Sequence, residues 1–356
     1  MPRVKLGDLL LDRFEHAAAA AQFEIALELD PSRDDLRLRL ARCLNVLERH
    51  GEAQAALTPY QAPHYERGLA FVRQGALDAA EREFRAVLGV DPWHRRALKE
   101  LCSRLRKSGR LAELLTTCEA LHARAVDHAQ LFYEWGRGLA LAGDEAGARA
   151  LLFDPARVSE IALPVPEGFA DQAGFNAALA EEILVNPNIL SAFPIEEANR
   201  GSARVHSLFS GPRPAPIRGL LATIEAVVSA YRPAPLGDFD PWVHARPAEA
   251  HLRPWGLIQR GGAYEEWHSH RGGWLSGVYY VRVPAQVSTA GDGPGCIEFG
   301  PPPSLFEAMP DLIPRRRYLP REGKLLLAPS HYAHRTIPSG ADEYRISFAF
   351  DVVAHG

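Results

Sequence analysis

Apolar residues recur every three or four positions through residues 1–157, with polar and charged residues between them, and strand-like runs are almost absent there. That period predicts successive amphipathic helices. After Asp154-Pro155 the pattern changes, and the stretch from Ala162 to Gly168 is broken by proline and glycine, which reads as a linker. Helical spacing returns near Phe175 to Leu184. It returns again from Ile217 to Tyr231, where Leu220, Leu221, Ile224, Val227 and Val228 make one stripe. The remainder consists of short apolar or alternating runs between Gly/Pro clusters: Trp255 to Gln259, Ser276 to Val283, Lys324 to Leu327 and Arg345 to Val353. Such runs predict strands. The expected fold class is a two-domain chain, an N-terminal α-solenoid of helical repeats followed by a C-terminal β-rich jelly roll (a double-stranded β-helix) with packing helices. The expected bounds are 1–157 for the repeats, 158–172 for the linker and 173–356 for the jelly roll.

A repeat runs through the helical part. Gly75, Gly109 and Gly143 lie 34 residues apart, and Gly68 and Gly136 lie seven residues before the first and last of them. The best unit runs from His64 to Pro92 and carries Gly68, Phe71, Gly75, Ala80, Phe84 and Asp91-Pro92. Small residues allow paired helices to approach, an aromatic fills the gap, and proline ends the second helix. These marks resemble the tetratricopeptide repeat, and the 34-residue period is the specific part. Ala19, Phe23, Ala26 and Asp30-Pro31 read as the second helix of a first unit whose first helix is missing, and Gly51 with Ala56 reads as a shortened unit. About four units are expected. Arrays of this kind present a concave groove to a peptide or protein partner, and nothing in them is catalytic by type.

The chain has 356 residues, 47% of them hydrophobic, and a formal net charge of -4. Two cores are within reach at that size. The acidic balance gives no sign of a nucleic-acid partner. No apolar run is long enough for a transmembrane helix, so no membrane partner is expected. Leu9-Leu10-Leu11 is too brief for a secretory leader, and Cys43, Cys102, Cys118 and Cys296 form neither a C-x-x-C pair nor a disulfide framework. A cytoplasmic location is the expectation.

The candidate chemistry lies in the second half. His268 and His270 stand two residues apart just before a strand, and in extended backbone such residues share a face. Both imidazoles can address one metal ion, and His334 is a third candidate. Imidazole suits iron, zinc and copper, so ligand type leaves the metal open. In the strand Arg345-Ile346-Ser347-Phe348-Ala349-Phe350, Arg345 and Ser347 fall on one face and the apolar residues Ile346, Phe348 and Phe350 on the other. A guanidinium beside a hydroxyl makes a carboxylate site. Tyr280 shares the parity of His268, His270 and Ser276 if no bulge intervenes. The histidines of the helical half (His16, His50, His94, His122 and His128) read as solvated or packed side chains.

The run His268-Ser269-His270-Arg271-Gly272-Gly273-Trp274-Leu275-Ser276-Gly277-Val278-Tyr279-Tyr280-Val281 resembles the core motif of a bacterial family of 2-oxoglutarate/Fe(II)-dependent oxygenases often fused to tetratricopeptide repeats. Ala328-Pro329-Ser330-His331-Tyr332-Ala333-His334, Pro338-Ser339-Gly340 and Arg345-Ile346-Ser347 are similar to its later signature, and the likeness covers Phe175 to Val353. The resemblance implies a hydroxylase that uses Fe(II) and 2-oxoglutarate. His268, His270 and His334 would hold the metal, and Arg345, Ser347 and Tyr280 the co-substrate. It favours His334 over His331 as ligand and sets His331, with Trp274, at a substrate mouth. One position departs from the wider superfamily, whose motif is H-x-D: His270 stands in place of the carboxylate. Three arrangements follow. All three histidines bind; or two bind and water completes the site, as the aspartyl/asparaginyl β-hydroxylases resemble; or Glu265, Glu266 or Glu298 enters. The substrate expected is a peptide or protein side chain presented by the repeats. The alternatives are a small-molecule biosynthetic oxygenase with the repeats as assembly module, and a non-catalytic metal-holding adaptor.

Overall fold

The computed structural model describes all residues except 1, 13–14, 31–32, 48, 58–63, 191–197, 206–214, 271, 289–292, 304–312 and 355–356. The chain divides into two compact units, Met1–Val90 and Asp91–Gly356.

The first unit consists of helices α1 (Pro2–Asp12), α2 (His16–Leu29), α3 (Asp34–Val46), α4 (His50–Leu57), α5 (His64–Arg73) and α6 (Leu77–Val90). Burial follows helical spacing: Ala19, Phe23 and Ala26 on α2, and Ala80, Phe84, Val87 and Leu88 on α6. Gly68 lies so close to Phe84 that a Cβ there would stand 2.5 Å from the ring. Gly7 meets Phe23 at the same 2.5 Å. The first unit of the array is therefore complete, with α1 as the helix that the sequence pattern left out. Gly7 escapes recognition because it lies 61 residues before Gly68, out of phase with the other close-approach glycines Gly68 and Gly136, which are 68 apart.

The second unit opens with α7 (Arg95–Lys107), α8 (Leu111–His122), α9 (Ala129–Ala142) and α10 (Glu145–Leu152). His94 and His128 cap α7 and α9, their rings accepting from the backbone N–H of Ala97 and Leu131. The glycines with the 34-residue period have one job. Gly75, Gly109 and Gly143 all take positive φ, at 75°, 72° and 83°, in the turn that joins paired helices. Close approach belongs instead to Gly7, Gly68 and Gly136.

The same unit holds helices α11 (Gln172–Leu184), α12 (Ala215–Ala230), α13 (Pro241–His244) and α14 (Ala285–Ser288) and twelve strands. These are β1 (Ser159–Ala162), β2 (Ile189–Leu190), β3 (Asn199–Arg200), β4 (Ala203–Val205), β5 (Ala250–Gln259), β6 (Tyr264–Glu265), β7 (Leu275–Arg282), β8 (Ile297–Phe299), β9 (Arg316–Tyr318), β10 (Lys324–Pro329), β11 (His334–Thr336) and β12 (Arg345–Ala354). The major sheet has the order β1-β10-β7-β12-β5-β4-β2, and β11-β8-β9 and β3-β6 form two smaller ones. All pairs are antiparallel. This is the expected jelly roll. The stretch 158–172 expected as a linker opens with β1, which pairs with β10 at the edge of the major sheet.

One face of the major sheet is core. Ile346, Phe348 and Phe350 of β12 are fully buried there. Gly277 leaves room for Phe350, whose ring would stand 2.3 Å from a Cβ. Tyr279 donates its hydroxyl to Asn176 of α11 at 2.6 Å, which fixes that helix on this face. The last helical pair is tied to the sheets through Tyr332, between β10 and β11. Its hydroxyl donates to the carbonyl of Ala150 at 3.3 Å and accepts from the N–H of Asp154 at 3.2 Å. Phe153 lies parallel to Phe299 of β8 with ring centroids 6.2 Å apart.

Two predictions follow from this packing. Gly68→Ala should destabilise the protein by about 1–3 kcal/mol, because the Phe84 ring is walled in and cannot yield freely, and chemical denaturation reads that loss. Burial lowers the His331 imidazole to about 3 and His128 to about 4, from the ordinary 6.5. The unfolded chain takes up those protons near pH 6.5 while the folded chain does not. Stability is therefore complete above pH 6.5 and falls as the pH drops toward 4, by up to about 1.4 kcal/mol per pH unit per group. Urea midpoints across that window should show the slope, and His331→Leu should flatten it by one group's share.

Candidate metal and co-substrate site

The opposite face of the major sheet builds the site. On β12 the residues Arg345, Ser347, Ala349 and Asp351 share this face by strand alternation. Register places Gln259 of β5 opposite Arg345, Tyr280 of β7 opposite Ser347, and both Arg253 of β5 and Ser276 of β7 opposite Asp351. The irregularity in the β12–β7 pairing falls between Ile346 and Ser347, beyond Tyr280, so the parity from Ser276 to Tyr280 is intact.

The three histidines come together as expected. Their ligand atoms lie within 4.8 Å of one another, and among the described residues this is the cluster able to hold a metal ion. Backbone pairing holds them in place. His268 and His334 form a bridge with two 2.9 Å N–H···O bonds, and the N–H of His270 donates to the carbonyl of Ser330 at 2.8 Å. Each ring is oriented through Nδ1. His268 donates to the carbonyl of Glu266 at 2.7 Å, His334 to the carbonyl of Tyr332 at 3.1 Å, and His270 to the carboxylate of Asp351 at 2.7 Å. Those acceptors have no proton to give, so Nδ1 carries it in all three rings and every Nε2 keeps a free lone pair. Burial, with the neighbouring rings adding to it, lowers His334 to about 3 and moves His268 well below the ordinary value. Neutral imidazole is the form that binds metal.

The donor set thus fits a divalent ion of the iron or zinc kind. The three carboxylates offered by the sequence are committed elsewhere. Glu265 pairs with Arg204, Glu266 with Arg200 at 2.8 Å, and Glu298 with Arg317 and Arg335 at 2.9 and 2.7 Å. The carboxylate nearest the triad in bonding terms is Asp351, which sequence reading passed over. Burial opposes its ionisation, but the donors His270, Ser276 and Arg253 hold it below the usual aspartate range. Its signal was parity, since Asp351 stands six residues after Arg345 on one strand.

The anion site also assembles. Arg345, Ser347 and Tyr280 are 3%, 1% and 2% exposed. Arg345 Nε, Ser347 Oγ and the Tyr280 hydroxyl are buried with no hydrogen bond of normal geometry, although the Tyr280 ring lies under the guanidinium with its centroid 5.4 Å from Cζ. Burial lowers the Arg345 pKa and pushes Tyr280 up to about 12, so the phenol remains a donor. Asp342 and Glu343, which might have paired with Arg345, are exposed. A buried cation with unpaired donors around it is costly unless an anion completes it, and a carboxylate has the matching shape.

Two expected site residues lie apart from this group. His331 is buried against Phe132 and Tyr332, with ring centroids at 5.4 and 5.0 Å, and Trp274 stacks on Trp242 at 5.0 Å. Two aromatic rings stand beside the triad, Trp255 at 5.2 Å from His270 and Phe299 at 5.2 Å from His334, and the sequence singled out neither.

Residues 253–351 match the family model described as "Putative 2OG-Fe(II) oxygenase". No curated protein matches. Among solved structures, a Pseudomonas putida prolyl-4-hydroxylase is 18% identical over 56% of this chain and 94% of its own, with a TM-score of 0.40. A Trichoplax adhaerens prolyl hydroxylase, in complex with a hypoxia inducible factor peptide, is 12% identical over 60% and 92%, with a TM-score of 0.40. The tetratricopeptide-repeat protein YrrB is 23% identical over 42% and 80%, with a TM-score of 0.29. The matched segment runs from Arg253 to Asp351 and so contains the three histidines, Tyr280, Arg345 and Ser347. Fe(II) and 2-oxoglutarate are the metal and co-substrate that this family implies, and residues 253–351 are similar to the 2OG-Fe(II) oxygenases.

Proposed function

We propose that this oxygenase hydroxylates a side chain of a peptide or protein held by its helical repeats. In this reading His268, His270 and His334 bind Fe(II), and Arg345, Ser347 and Tyr280 bind the far carboxylate of 2-oxoglutarate. The observation that carries it is the set of unpaired buried donors Arg345 Nε, Ser347 Oγ and Tyr280 hydroxyl on the strand face shared with Asp351, the partner of His270. An adaptor that only held metal would gain nothing from a buried, unneutralised guanidinium.

Bound Fe(II) and keto acid supply the oxidising chemistry: dioxygen is consumed, the keto acid becomes succinate and carbon dioxide, and a substrate C–H bond becomes C–OH. The protein residues do the positioning. The Nδ1 hydrogen bonds keep three Nε2 lone pairs converged without needing to be remade on each turnover. Arg345 fixes the distance between the carboxylate end of the co-substrate and the metal. Tyr280 and Ser347 donate to the same oxygens and take the place of water there.

The region 1–157 is assigned here to partner binding, followed by 158–172 as the connection and 173–356 as the oxygenase domain. Helical pairs of this kind supply remote binding area, and an extended peptide needs more of that than a free metabolite does. The four cysteines are buried and form no disulfide, which accords with a reducing cytoplasm. Among the described residues no helix is long and apolar enough to cross a membrane.

Under anaerobic conditions, Fe(II) with 2-oxoglutarate should give a weak visible charge-transfer band. Arg345→Ala should weaken 2-oxoglutarate binding by about two orders of magnitude while leaving Fe(II) binding within a few-fold. Alanine at His268, His270 or His334 should reduce metal binding itself. A wild-type protein that gives no band and holds zinc tightly would instead be the adaptor. For the substrate class, succinate release by the full chain should rise several-fold with a bound peptide from a displayed library and stay at its basal rate with small metabolites.

A further inference from the structure

Three neutral imidazoles bring no charge to a divalent ion, and no carboxylate is among the ligand atoms of the triad. One stands a single hydrogen bond behind it. Asp351 is 2% exposed, and its Oδ1 accepts from His270 Nδ1 at 2.7 Å and from the Ser276 hydroxyl at 2.6 Å. Its Oδ2 accepts from Arg253 at 2.7 Å. The cluster closes on itself: Ser276 meets the Ser330 hydroxyl at 2.8 Å, and the carbonyl of Ser330 receives the N–H of His270 at 2.8 Å. The loop between His270 and β7 passes so close that a Cβ on Gly273 would stand 2.6 Å from Ser330 Oγ.

Arg253 offsets part of this charge from the solvent side, on Oδ2, with a side chain 58% exposed, while Oδ1 is turned to the imidazole. A hydrogen bond from Nδ1 to a carboxylate increases electron donation by Nε2. We propose that Asp351 is a positioning residue that supplies, through His270, the anionic character which the three-histidine ligand set lacks. The usual metal-bound carboxylate has in effect been moved one imidazole outward. The inference rests on the reading of the triad as a metal site.

The test uses the full chain and two probes, Co(II) alone and Fe(II) with 2-oxoglutarate. Asp351→Asn keeps an acceptor for Nδ1–H but removes the charge. It should bind Co(II) about 10–100-fold more weakly and move the Fe(II) charge-transfer band to higher energy. Ser276→Ala removes a hydrogen bond and no charge, and should leave that band where it is. In the zinc-loaded wild type, nitrogen-resolved NMR should find the proton of His270 on Nδ1. Unchanged Co(II) affinity and an unmoved band in Asp351→Asn would overturn the proposal and leave the metal site standing. So would a proton on Nε2 in the wild type, a result that needs no variant to fold. Wild-type protein with no affinity for Co(II), or His270→Ala binding as tightly as wild type, would overturn the metal-site reading beneath it.

Discussion

The site depends on the alternation of one strand. β12 lies between β5 and β7, and its even-numbered residues Ile346, Phe348, Phe350 and Val352 are buried in the core. Burying those side chains contributes about 1.5–3 kcal/mol each for the larger ones, so the register is held strongly. A slip by one residue would turn all of them out and bring Arg345, Ser347 and Asp351 into apolar packing. Arg345 and the carboxylate behind His270 are thus held by the same hydrophobic force. That is why two buried charges of opposite sign can be kept on a single strand without pairing with each other.

Much of this was readable in advance where the chemistry is local. His268 and His270 are two residues apart, and a spacing of two is itself a statement about facing. Arg345 and Ser347 follow the same logic. The glycine period was legible because a left-handed turn accepts few other residues, and Gly75, Gly109 and Gly143 each occupy one. Phe23 and Phe84 could be recognised for the same reason that they pack: each fills the space left by a glycine on the preceding helix.

What escaped depends on distant partners. Asp351 lies in the run that was read for Arg345, but its meaning comes from His270, 81 residues earlier in the chain. Nothing in local spacing distinguishes it from Glu265 or Glu298, which turn out to be tied to arginines. The helix Pro2–Asp12 was missed because Gly7, 61 residues before Gly68, is out of phase with the glycines that play the same part in later pairs. β1 was masked by the prolines that follow it, though its hydrogen bonds to β10 are regular. His331 and Trp274 belong to motifs that draw attention to functional residues, yet both rings are buried in packing contacts, which no motif can show.

Tyr332 works at both of its ends. Its carbonyl accepts from the ring of His334, and its hydroxyl is bonded to the backbone at the end of the last helical pair. The seam between repeat array and oxygenase is for that reason not an interchangeable tether. Because the bonds from Tyr332 go to main-chain atoms of Ala150 and Asp154, it is the path of the backbone there, rather than its side chains, that is coupled to the His334 ring.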